Sequence, residues 1–258
     1  MRRAIIAEIC ANGVALQAVL RDCEKQRVDE IVCLGSIVGY GPDCIECIDL
    51  IRANCRWSLR GRLDDGLVHK REHFNAYVRG SLDRCRRELT TPWYAVWRST
   101  QRLQWLESVP IFIREDKSLY VNGTPDEPVG GLLTDGDFIP FEGRLNARIQ
   151  RAFEHTQRLC SLAATHRPGV GQENEAFYRP PKAGPALFNL KGGNKYLINP
   201  GSVGQPRDGN PRSAYIVHDT QADCIEFVRV AYPVEESIRR FQKAGLHDNH
   251  YKRLLKGL

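Results

Sequence analysis

The first 61 residues alternate between segments typical of strands and segments typical of helices, and this order constrains the fold more than any other feature of the sequence. Two helix-like segments separate three strand-like runs, which are "RAIIAEI" (3–9), "VDEIVCLG" (28–35) and "CRWSLRG" (55–61). A β-α-β-α-β order predicts a parallel sheet with right-handed crossovers and helices on its faces. Ligands of such sheets lie beyond the carboxyl ends of the strands, so we expect functional residues at Glu8, Cys10, Ser36 and 61–65.

The remainder of the chain has a different organisation. Residues 69–109 are basic, rich in aromatic residues and helical in pattern, which predicts a helical insert or cap. Seven strand-like runs follow, and the turns "REDK" (114–117) and "KGGN" (191–194) predict hairpins between some of them. A last long helix is predicted at 233–245. Because no internal repeat or low-complexity tract interrupts the chain, we expect one domain over residues 1–258.

Composition favours a folded protein of the cell interior. Hydrophobic residues make up 42% and charged residues 26% of the chain, which is typical of globular domains. No apolar run approaches the ~20 residues that span a bilayer, and the run before Glu8 is too short for a signal peptide. We therefore expect a cytoplasmic protein that does not contact a membrane. The net charge of +6 is only a weak indication of acidic partners.

Nine cysteines are present, and most lie in or beside apolar runs. In a chain of this length without a secretory signal, they predict buried, reduced thiols rather than a disulfide framework. Cys44 and Cys47, in "CIEC", have the spacing of a zinc knuckle, but no second Cys or His pair matches it. We therefore interpret this motif as the start of a helix.

Six motifs at the predicted strand tips agree in order, spacing and flanks with those of one known group of proteins. They are "AIIAEICANGVALQAVL", "LGSIVGYGPDCIECIDLI", "RGRLDDGLV", "YVNGTPDEP", "SLAATHRPG" and "LINPGSVGQPRDGNPRSAY". Together they resemble the calcineurin-like metallophosphoesterase superfamily, and in particular its small YfcE-like branch of phosphodiesterases and phosphatases. The resemblance covers essentially the whole chain. It implies an α/β fold in which two mixed sheets form a β-sandwich flanked by helices, in four layers.

In active members of this superfamily two divalent metals neutralise the phosphate and activate a water or hydroxide, and a histidine donates a proton. In this chain, most of the metal-ligand and proton-donor positions that the resemblance implies are occupied by residues of other types. The first three motifs give Glu8 and Cys10, then Ser36, then Arg62 and Leu63, with only Asp64 of the third motif unchanged. The next two motifs give Asn122, and then Ala164 and His166.

The position of the second metal would consist of Ser36, Arg62, Asn122 and Ala164. None of these is a good ligand for a divalent transition metal, and the guanidinium of Arg62 repels a cation. We therefore expect these ligand positions to be vacated. A bound anion would still find Arg62 and His166 close to backbone amides of the motifs.

The position of the first metal has two interpretations. Glu8, Cys10 and His166 form a plausible three-ligand set for at most one Zn²⁺ or Mn²⁺. Alternatively, Cys10 is a buried thiol, Glu8 pairs with Arg62, and His166 is a hydrogen-bonded remnant. We favour the second interpretation, with no cofactor, because Glu is one methylene longer than Asp and would have to retract to share one metal.

The helical segment 69–109 carries a candidate partner surface. Basic and aromatic residues alternate there, and Arg84, Arg87, Trp93 and Trp97 are the residues we would expect at its centre. A surface of this kind binds a protein partner, a second copy of the chain or nucleic acid, and we rank nucleic acid last. The alternative is an amphipathic flank with aromatic residues in the core and arginines in solvent.

Three functions remain open on the sequence alone. The first is a pseudoenzyme that retains the metallophosphoesterase fold as a binding or scaffold module in a larger assembly. The second is a residual one-metal phosphoesterase that uses Glu8, Cys10 and His166, and the third is a deliberately altered enzyme. We favour the first because the departures concentrate on ligand positions while the flanking residues persist, and because the two-metal site that hydrolysis requires is then missing.

Overall fold

The computed structural model describes residues 1–69, 74–90, 96–139, 146–173, 175–182, 184 and 186–258, and for 96–100 it describes the helix but not the side chains. The strands of the described part are β1 (Arg2–Ile6), β2 (Glu30–Cys33), β3 (Trp57–Ser58), β4 (Phe112–Glu115), β5 (Ser118–Val121), β6 (Leu159–Ser161), β7 (Gly169–Gln172), β8 (Ala186–Asn189), β9 (Tyr196–Asn199), β10 (Ser213–Asp219) and β11 (Cys224–Val230). Its α-helices are α1 (Gly13–Lys25), α2 (Cys44–Asn54), α3 (Arg62–Val68), α4 (Ala76–Thr90), α5 (Val96–Ser108), α6 (Ala147–Glu154), α7 (Val234–Lys243) and α8 (Asp248–Tyr251).

Two mixed sheets form the centre of the fold. The first has the order β3-β2-β1-β10-β11-β8, and the second has the order β4-β5-β6-β9-β7. Strands β1, β2 and β3 run parallel, as do β5, β6 and β9. Antiparallel pairing adds β10, β11 and β8 to the first sheet, and β4 and β7 to the two edges of the second. The parallel β-α-β-α-β unit that the sequence predicts at the N-terminus is confirmed.

Apolar side chains on each face of the sheets explain the layers. Residues of both sheets, such as Ile5, Val32, Tyr196 and Ile198, share one buried cluster between the sheets. A second cluster packs α1, α2, α3 and α4 on the outer face of the first sheet. A third packs α6 on the outer face of the second sheet. The predicted α/β sandwich of helices, two sheets and helices is therefore confirmed.

One of the two predicted hairpins is correct. Strands β4 and β5 pair antiparallel around the turn at 114–117, from Phe112 opposite Val121 to Glu115 opposite Ser118. The predicted hairpin at 191–194 is wrong, because β8 pairs with β11 in the first sheet and β9 pairs with β6 and β7 in the second. Both strands contribute to the cluster between the sheets, and the chain therefore crosses from one sheet to the other at this turn.

Within the segment 69–109, helix α4 packs on the N-terminal unit. Its buried residues Val78, Leu82, Cys85 and Leu89 recur every three or four positions and form one apolar face. A disulfide between Cys85 and Cys44 joins α4 to the start of α2. The other seven cysteines are free, and Cys55 alone among them is not fully buried.

The prediction of reduced thiols therefore holds for those seven cysteines and is wrong for Cys44 and Cys85. These two lie 41 residues apart in sequence, and only the packing of α4 on α2 brings them together. The predicted helix start at Cys44 is confirmed. Among the described helices, none has the length and apolar character needed to cross a membrane.

Candidate functional site

The predicted strand-tip residues meet in one cleft between the carboxyl ends of the two sheets. Glu8 follows β1 and Ser36 follows β2, while Asn122 and His166 approach from the second sheet after β5 and β6. The cleft has a volume of about 330 Å³, and these four residues line it. The remaining lining residues are Tyr40, Arg62, Leu63, Phe74, Asn75, Val78, Ala164 and Arg207. Helix α4 thus forms one wall of the cleft.

The backbone around the cleft is held in a costly conformation. Glu8, Cys10, Ser36, Ala164 and His166 have φ values of 52°, 54°, 55°, 63° and 60°, which lie in the left-handed region. Each such residue costs on the order of 1–2 kcal/mol when it is not glycine. The surrounding structure must therefore fix these loops, and strain of this kind is typical of functional sites.

Hydrogen bonds between the loops supply that support. The backbone amide of Cys10 donates to the carbonyl of Ser36 over 2.9 Å, and the amide of Glu8 donates to that of Gly35 over 3.1 Å. The amide of Gly204 donates to the Glu8 carbonyl over 2.9 Å. A Cβ at Gly204 would lie 1.8 Å from the carbonyl oxygen of Ile9, so only glycine permits this approach.

The carboxyl group of Glu8 is buried at the centre of the cleft. Its Oε1 accepts hydrogen bonds from Asn122 Nδ2 over 2.8 Å and from the Ala164 amide over 3.2 Å. Its Oε2 lies 3.3 Å from Nε2 of His166. Burial raises the pKa of Glu8, although the Asn122 bond opposes that shift. The alternative prediction that Glu8 pairs with Arg62 is wrong, because Asn122 and His166 occupy both oxygens.

His166 is oriented by the backbone of the sixth motif. Its Nδ1 lies 2.9 Å from the carbonyl oxygen of Gln205, and because a carbonyl only accepts, Nδ1 carries the proton. The lone pair of Nε2 then faces Glu8. Burial, followed by the charge of Arg207, lowers the pKa of His166 well below its usual value, so the ring is neutral.

Cys10 completes a group of three candidate metal ligands. Its Sγ and the ligand atoms of Glu8 and His166 all lie within 4.8 Å of one another, and all three residues are buried. Burial, followed by the charge of Glu8, raises the pKa of the Cys10 thiol well above its usual value. The structure thus brings together the three-ligand set that the sequence indicates.

Asn122 connects three loops through its amide group. Besides Glu8, its Nδ2 donates to the Leu34 carbonyl over 3.0 Å, and its Oδ1 accepts from the Arg62 amide over 3.0 Å. The Ser36 hydroxyl donates weakly to the same Oδ1 over 3.4 Å. Every polar atom of the Asn122 side chain is therefore engaged within the protein.

The third motif contributes the buried carboxyl group of Asp64, whose oxygens accept hydrogen bonds from backbone amides. The Oδ1 of Asp64 accepts from the amides of Ile37 and Val38 over 2.8 and 3.1 Å, and its Oδ2 accepts from the Gly61 amide over 3.0 Å. Burial raises the pKa of Asp64 to about 7 against the opposing effect of these bonds. Beside it, the apolar side chain of Leu63 faces the cleft and has no proton to donate.

Two guanidinium groups line the cleft. Arg62 Cζ lies 5.5 Å from the ring centroid of Phe74, and Arg207 Cζ lies 5.5 Å from that of Tyr40. Arg207 donates from Nη2 to Gln205 Oε1 over 2.6 Å, and its buried Nε has no hydrogen-bond partner in the part of the chain that the structure describes. An unpaired buried donor of this kind requires a ligand or water to satisfy it.

Sequence reasoning missed Arg207 as a cleft residue. Asp208 forms an ion pair with Arg229, whereas its neighbour Arg207 faces the cleft. The signal in the sequence was its place in the sixth motif, "LINPGSVGQPRDGNPRSAY". Its position relative to the other motifs depends on the packing of the two sheets.

The candidate partner surface is described only in part. Arg84 donates to Glu88 and, from Nη1, to the Ala244 carbonyl over 2.7 Å, so it braces α4 against the end of α7. Arg87 is exposed on the same helix. Trp93 and the side chain of Trp97 lie outside the described residues. The partner surface therefore stays a prediction.

Comparison with known proteins supplies the family. No family model matches the chain. An uncharacterized protein of Methanocaldococcus jannaschii, MJ0912, is 31% identical over 263 residues, which cover 98% of this chain and 97% of that protein. A metallophosphoesterase from Sphaerobacter thermophilus is 30% identical in its crystal structure, with a TM-score of 0.81 over 100% of this chain and 99% of that one.

The crystal structure of hypothetical protein PH1004 from Pyrococcus horikoshii is similar in fold, with a TM-score of 0.76 at 18% identity over 100% of this chain and 98% of that one. These likenesses extend over the full length of the chain and agree with the motifs and the two-sheet fold. The chain belongs to the calcineurin-like metallophosphoesterases.

Membership of this family implies divalent metals, and the donors present fit one ion better than two. The set of Glu8, Cys10 and His166 offers carboxylate, thiolate and imidazole, which are the ligand types of zinc. A second ion would have to take its ligands from Ser36 and Asn122, next to the charge of Arg62. Because the amide of Asn122 is fully hydrogen-bonded, these donors do not fit a second divalent cation.

Proposed function

We propose that this protein is a metallophosphoesterase-fold pseudoenzyme, whose cleft binds an anionic ligand without two-metal hydrolysis and which serves as a binding module in a larger assembly. The observation that carries the proposal is the hydrogen bonding of Asn122, whose amide joins Glu8, Leu34 and Arg62. These hydrogen bonds of Asn122 join the loops directly, in place of metal coordination.

Loss of hydrolysis follows from the chemistry of the cleft residues. Two-metal catalysis requires a bridging anionic ligand and a proton donor near the leaving group. Ser36 and Leu63 stand at those two places of the motifs and supply neither. Removal of a single electrostatic group of this kind typically lowers kcat by ~100-fold or more, and here several are absent together.

Retention of anion binding is supported by charge. Arg62 and Arg207 line the same cleft, while Glu8, which carries the only carboxyl group among the described lining residues, is buried and has a raised pKa. A guanidinium in a partly enclosed cleft binds phosphate and carboxylate oxygens through charge-assisted hydrogen bonds. The Nε of Arg207 offers one donor that no described residue of the chain uses.

One observation favours a second candidate function, a one-metal phosphoesterase. The three ligand atoms of Glu8, Cys10 and His166 lie within 4.8 Å of one another, and Gln205 orients the His166 ring from its far side. A hydrogen bond of this kind to the second ring nitrogen is typical of metal-binding histidines. This candidate requires that the Cys10 thiol lose its proton despite its burial.

Turnover of bis-p-nitrophenyl phosphate in the presence of Mn²⁺ or Zn²⁺ tests the two candidates. We expect no turnover above that of buffer for the wild-type protein. Zinc-dependent turnover that Cys10→Ala abolishes, and that Cys160→Ala preserves, would establish the one-metal enzyme instead. Cys160 is a suitable control because it is another free, buried thiol, in the core under α6.

Assembly with a protein partner is tested separately. We expect the tagged protein to retain a partner, or a second copy of itself, through size-exclusion chromatography with light scattering. Charge reversal of exposed arginines on α4, as Arg79→Glu with Arg87→Glu, would then lower capture if this helix is the contact. Arg84 is left unchanged because it supports the end of α7.

A further inference from the structure

A second cavity adjoins the cleft and shares a wall with it. This apolar cavity has a volume of about 270 Å³, and Ala164 and Arg207 line both spaces. Its other lining residues are Leu132, Leu133, Thr134, Asp135, Phe138, Leu162, Thr165, Arg167, Phe177, Leu197 and Asn199. Small-molecule pockets begin at about 300 Å³, so the cavity and the cleft together are large enough for one ligand.

Two phenylalanine rings define the apolar part of this cavity. The ring centroids of Phe138 and Phe177 lie 4.9 Å apart, with an angle of 41° between the rings. Both rings rest on glycines of β7, where a Cβ at Gly171 would lie 2.0 Å from Phe138 and a Cβ at Gly169 would lie 2.3 Å from Phe177. The rings are thus fixed by packing rather than free to fill the cavity.

Apart from Arg207 on the shared wall, the polar side chains that line the cavity are bonded within the protein. Asn199 donates to the Ala163 carbonyl and to the Thr165 hydroxyl, and its Oδ1 accepts from the Gly201 amide. Asp135 forms ion pairs with Arg179 and Arg167. The cavity therefore offers a ligand mainly apolar contact, without a demand for specific hydrogen bonds.

Positive charge is concentrated where the two spaces meet. Arg207 lies on the shared wall, Arg62 lines the cleft, and Arg253 is close enough to Arg207 that the two charges repel. Within the described residues, no carboxylate forms an ion pair with any of these three arginines. An anion at this junction would relieve the repulsion.

From these observations we propose that the two spaces form one site for an amphiphilic anion. Its phosphate or similar charged group lies in the cleft between Arg62 and Arg207, and its aromatic or compact aliphatic group enters the apolar cavity against Phe138 and Phe177. The inference rests on the proposed function, since it takes the cleft as an anion site. It adds the class of ligand and a second subsite.

Calorimetric titration of the full-length protein in EDTA with three probes tests the proposal. The probes are inorganic phosphate, 1-naphthyl phosphate and 1-naphthol, which carry the charge alone, both groups, and the ring alone. We expect 1-naphthyl phosphate to bind at least tenfold more tightly than either of the others. Equal affinity for phosphate and naphthyl phosphate, or no binding of either, would overturn the proposal.

Two variants assign the affinity to the two spaces. Leu132→Trp places a larger side chain in the apolar cavity from a position that is only half-buried, and we expect it to remove the tenfold advantage without changing the affinity for inorganic phosphate. Leu187→Trp, at an exposed leucine of β8, is the matched control and should change neither affinity. An advantage that survives Leu132→Trp would contradict the cavity assignment.

Arg62→Ala should weaken binding of inorganic phosphate and of naphthyl phosphate by the same factor, because Arg62 lines the cleft and does not line the apolar cavity. Loss of naphthyl phosphate affinity without loss of phosphate affinity in this variant would overturn the proposed orientation. Release of 1-naphthol in a parallel assay with Mn²⁺ or Zn²⁺ would contradict the non-catalytic function, while a tenfold preference for 1-naphthyl phosphate in EDTA would still support the two-part site. The two failures are thus distinguishable.

Discussion

Replacing Asn122 with alanine removes the side chain that joins three loops of the cleft. The residue is fully buried, and its amide contacts the Glu8 carboxyl, the Leu34 carbonyl and the Arg62 amide over 2.8, 3.0 and 3.0 Å. The substitution leaves those three groups without this partner. No other side chain of the described cleft makes the same connections.

The magnitude follows from the number and burial of the groups left unpaired. A buried donor or acceptor without a partner costs about 1–3 kcal/mol, and water entering from the cleft offsets part of that. The Glu8 carboxyl keeps its bond from the Ala164 amide. We therefore expect Asn122→Ala to lower the free energy of unfolding by about 3 kcal/mol.

Urea denaturation followed by circular dichroism measures the change. Asn54→Ala is the control, because Asn54 is an exposed asparagine whose Nδ2 donates to the Leu50 carbonyl, and its loss should change stability by under about 0.5 kcal/mol. A loss of less than about 1 kcal/mol for Asn122→Ala would refute the argument that this amide replaces metal coordination as the link between the loops.

Three further perturbations have expected outcomes. Ala164→Gly should raise the free energy of unfolding by about 1 kcal/mol in the same assay, because it relieves a φ of 63°, whereas Ala163→Gly, at a buried position without that strain, should lower it. Burial lowers the pKa of His218 from 6.5 to about 4, so between these pH values only the unfolded chain binds the proton. The free energy of unfolding should therefore fall by up to about 3 kcal/mol as the pH is lowered from 6.5 to 4, and His218→Gln should abolish this part of the pH dependence. Cys85→Ser should lower the free energy of unfolding by about 4 kcal/mol on the chain-entropy estimate for a disulfide that closes 41 residues, and dithiothreitol should then have no further effect on the variant. Equal stability of the variant and the oxidised wild type would contradict that disulfide contribution.

The parts of the fold that sequence alone predicts are those set by local pattern. The parallel β1-α1-β2-α2-β3 unit follows from alternating apolar runs, and the β4-β5 hairpin follows from a short polar turn. The sequence gives no such local signal for β7, which contains two glycines, or for the crossing between β8 and β9. Those features depend on packing between the sheets.

The same distinction holds for the candidate site. Motif order predicts that Glu8, Cys10 and His166 converge, because each follows a strand whose carboxyl end faces the cleft. The sequence does not predict which residue lies beside Glu8. Both His166 and Arg62 follow strands at this edge, and the packing of their loops decides which of them reaches the carboxyl group. Arg207 and the disulfide between Cys44 and Cys85 were likewise beyond local pattern, because distant segments bring them into place.

A crystal soaked in MnCl₂ and measured for anomalous scattering tests the central claim most directly. The account predicts at most one manganese peak in the cleft, bounded by Glu8, Cys10 and His166, and none beside Asn122 and Arg62. Two peaks about 4 Å apart, the separation typical of two-metal phosphoesterases, would contradict it.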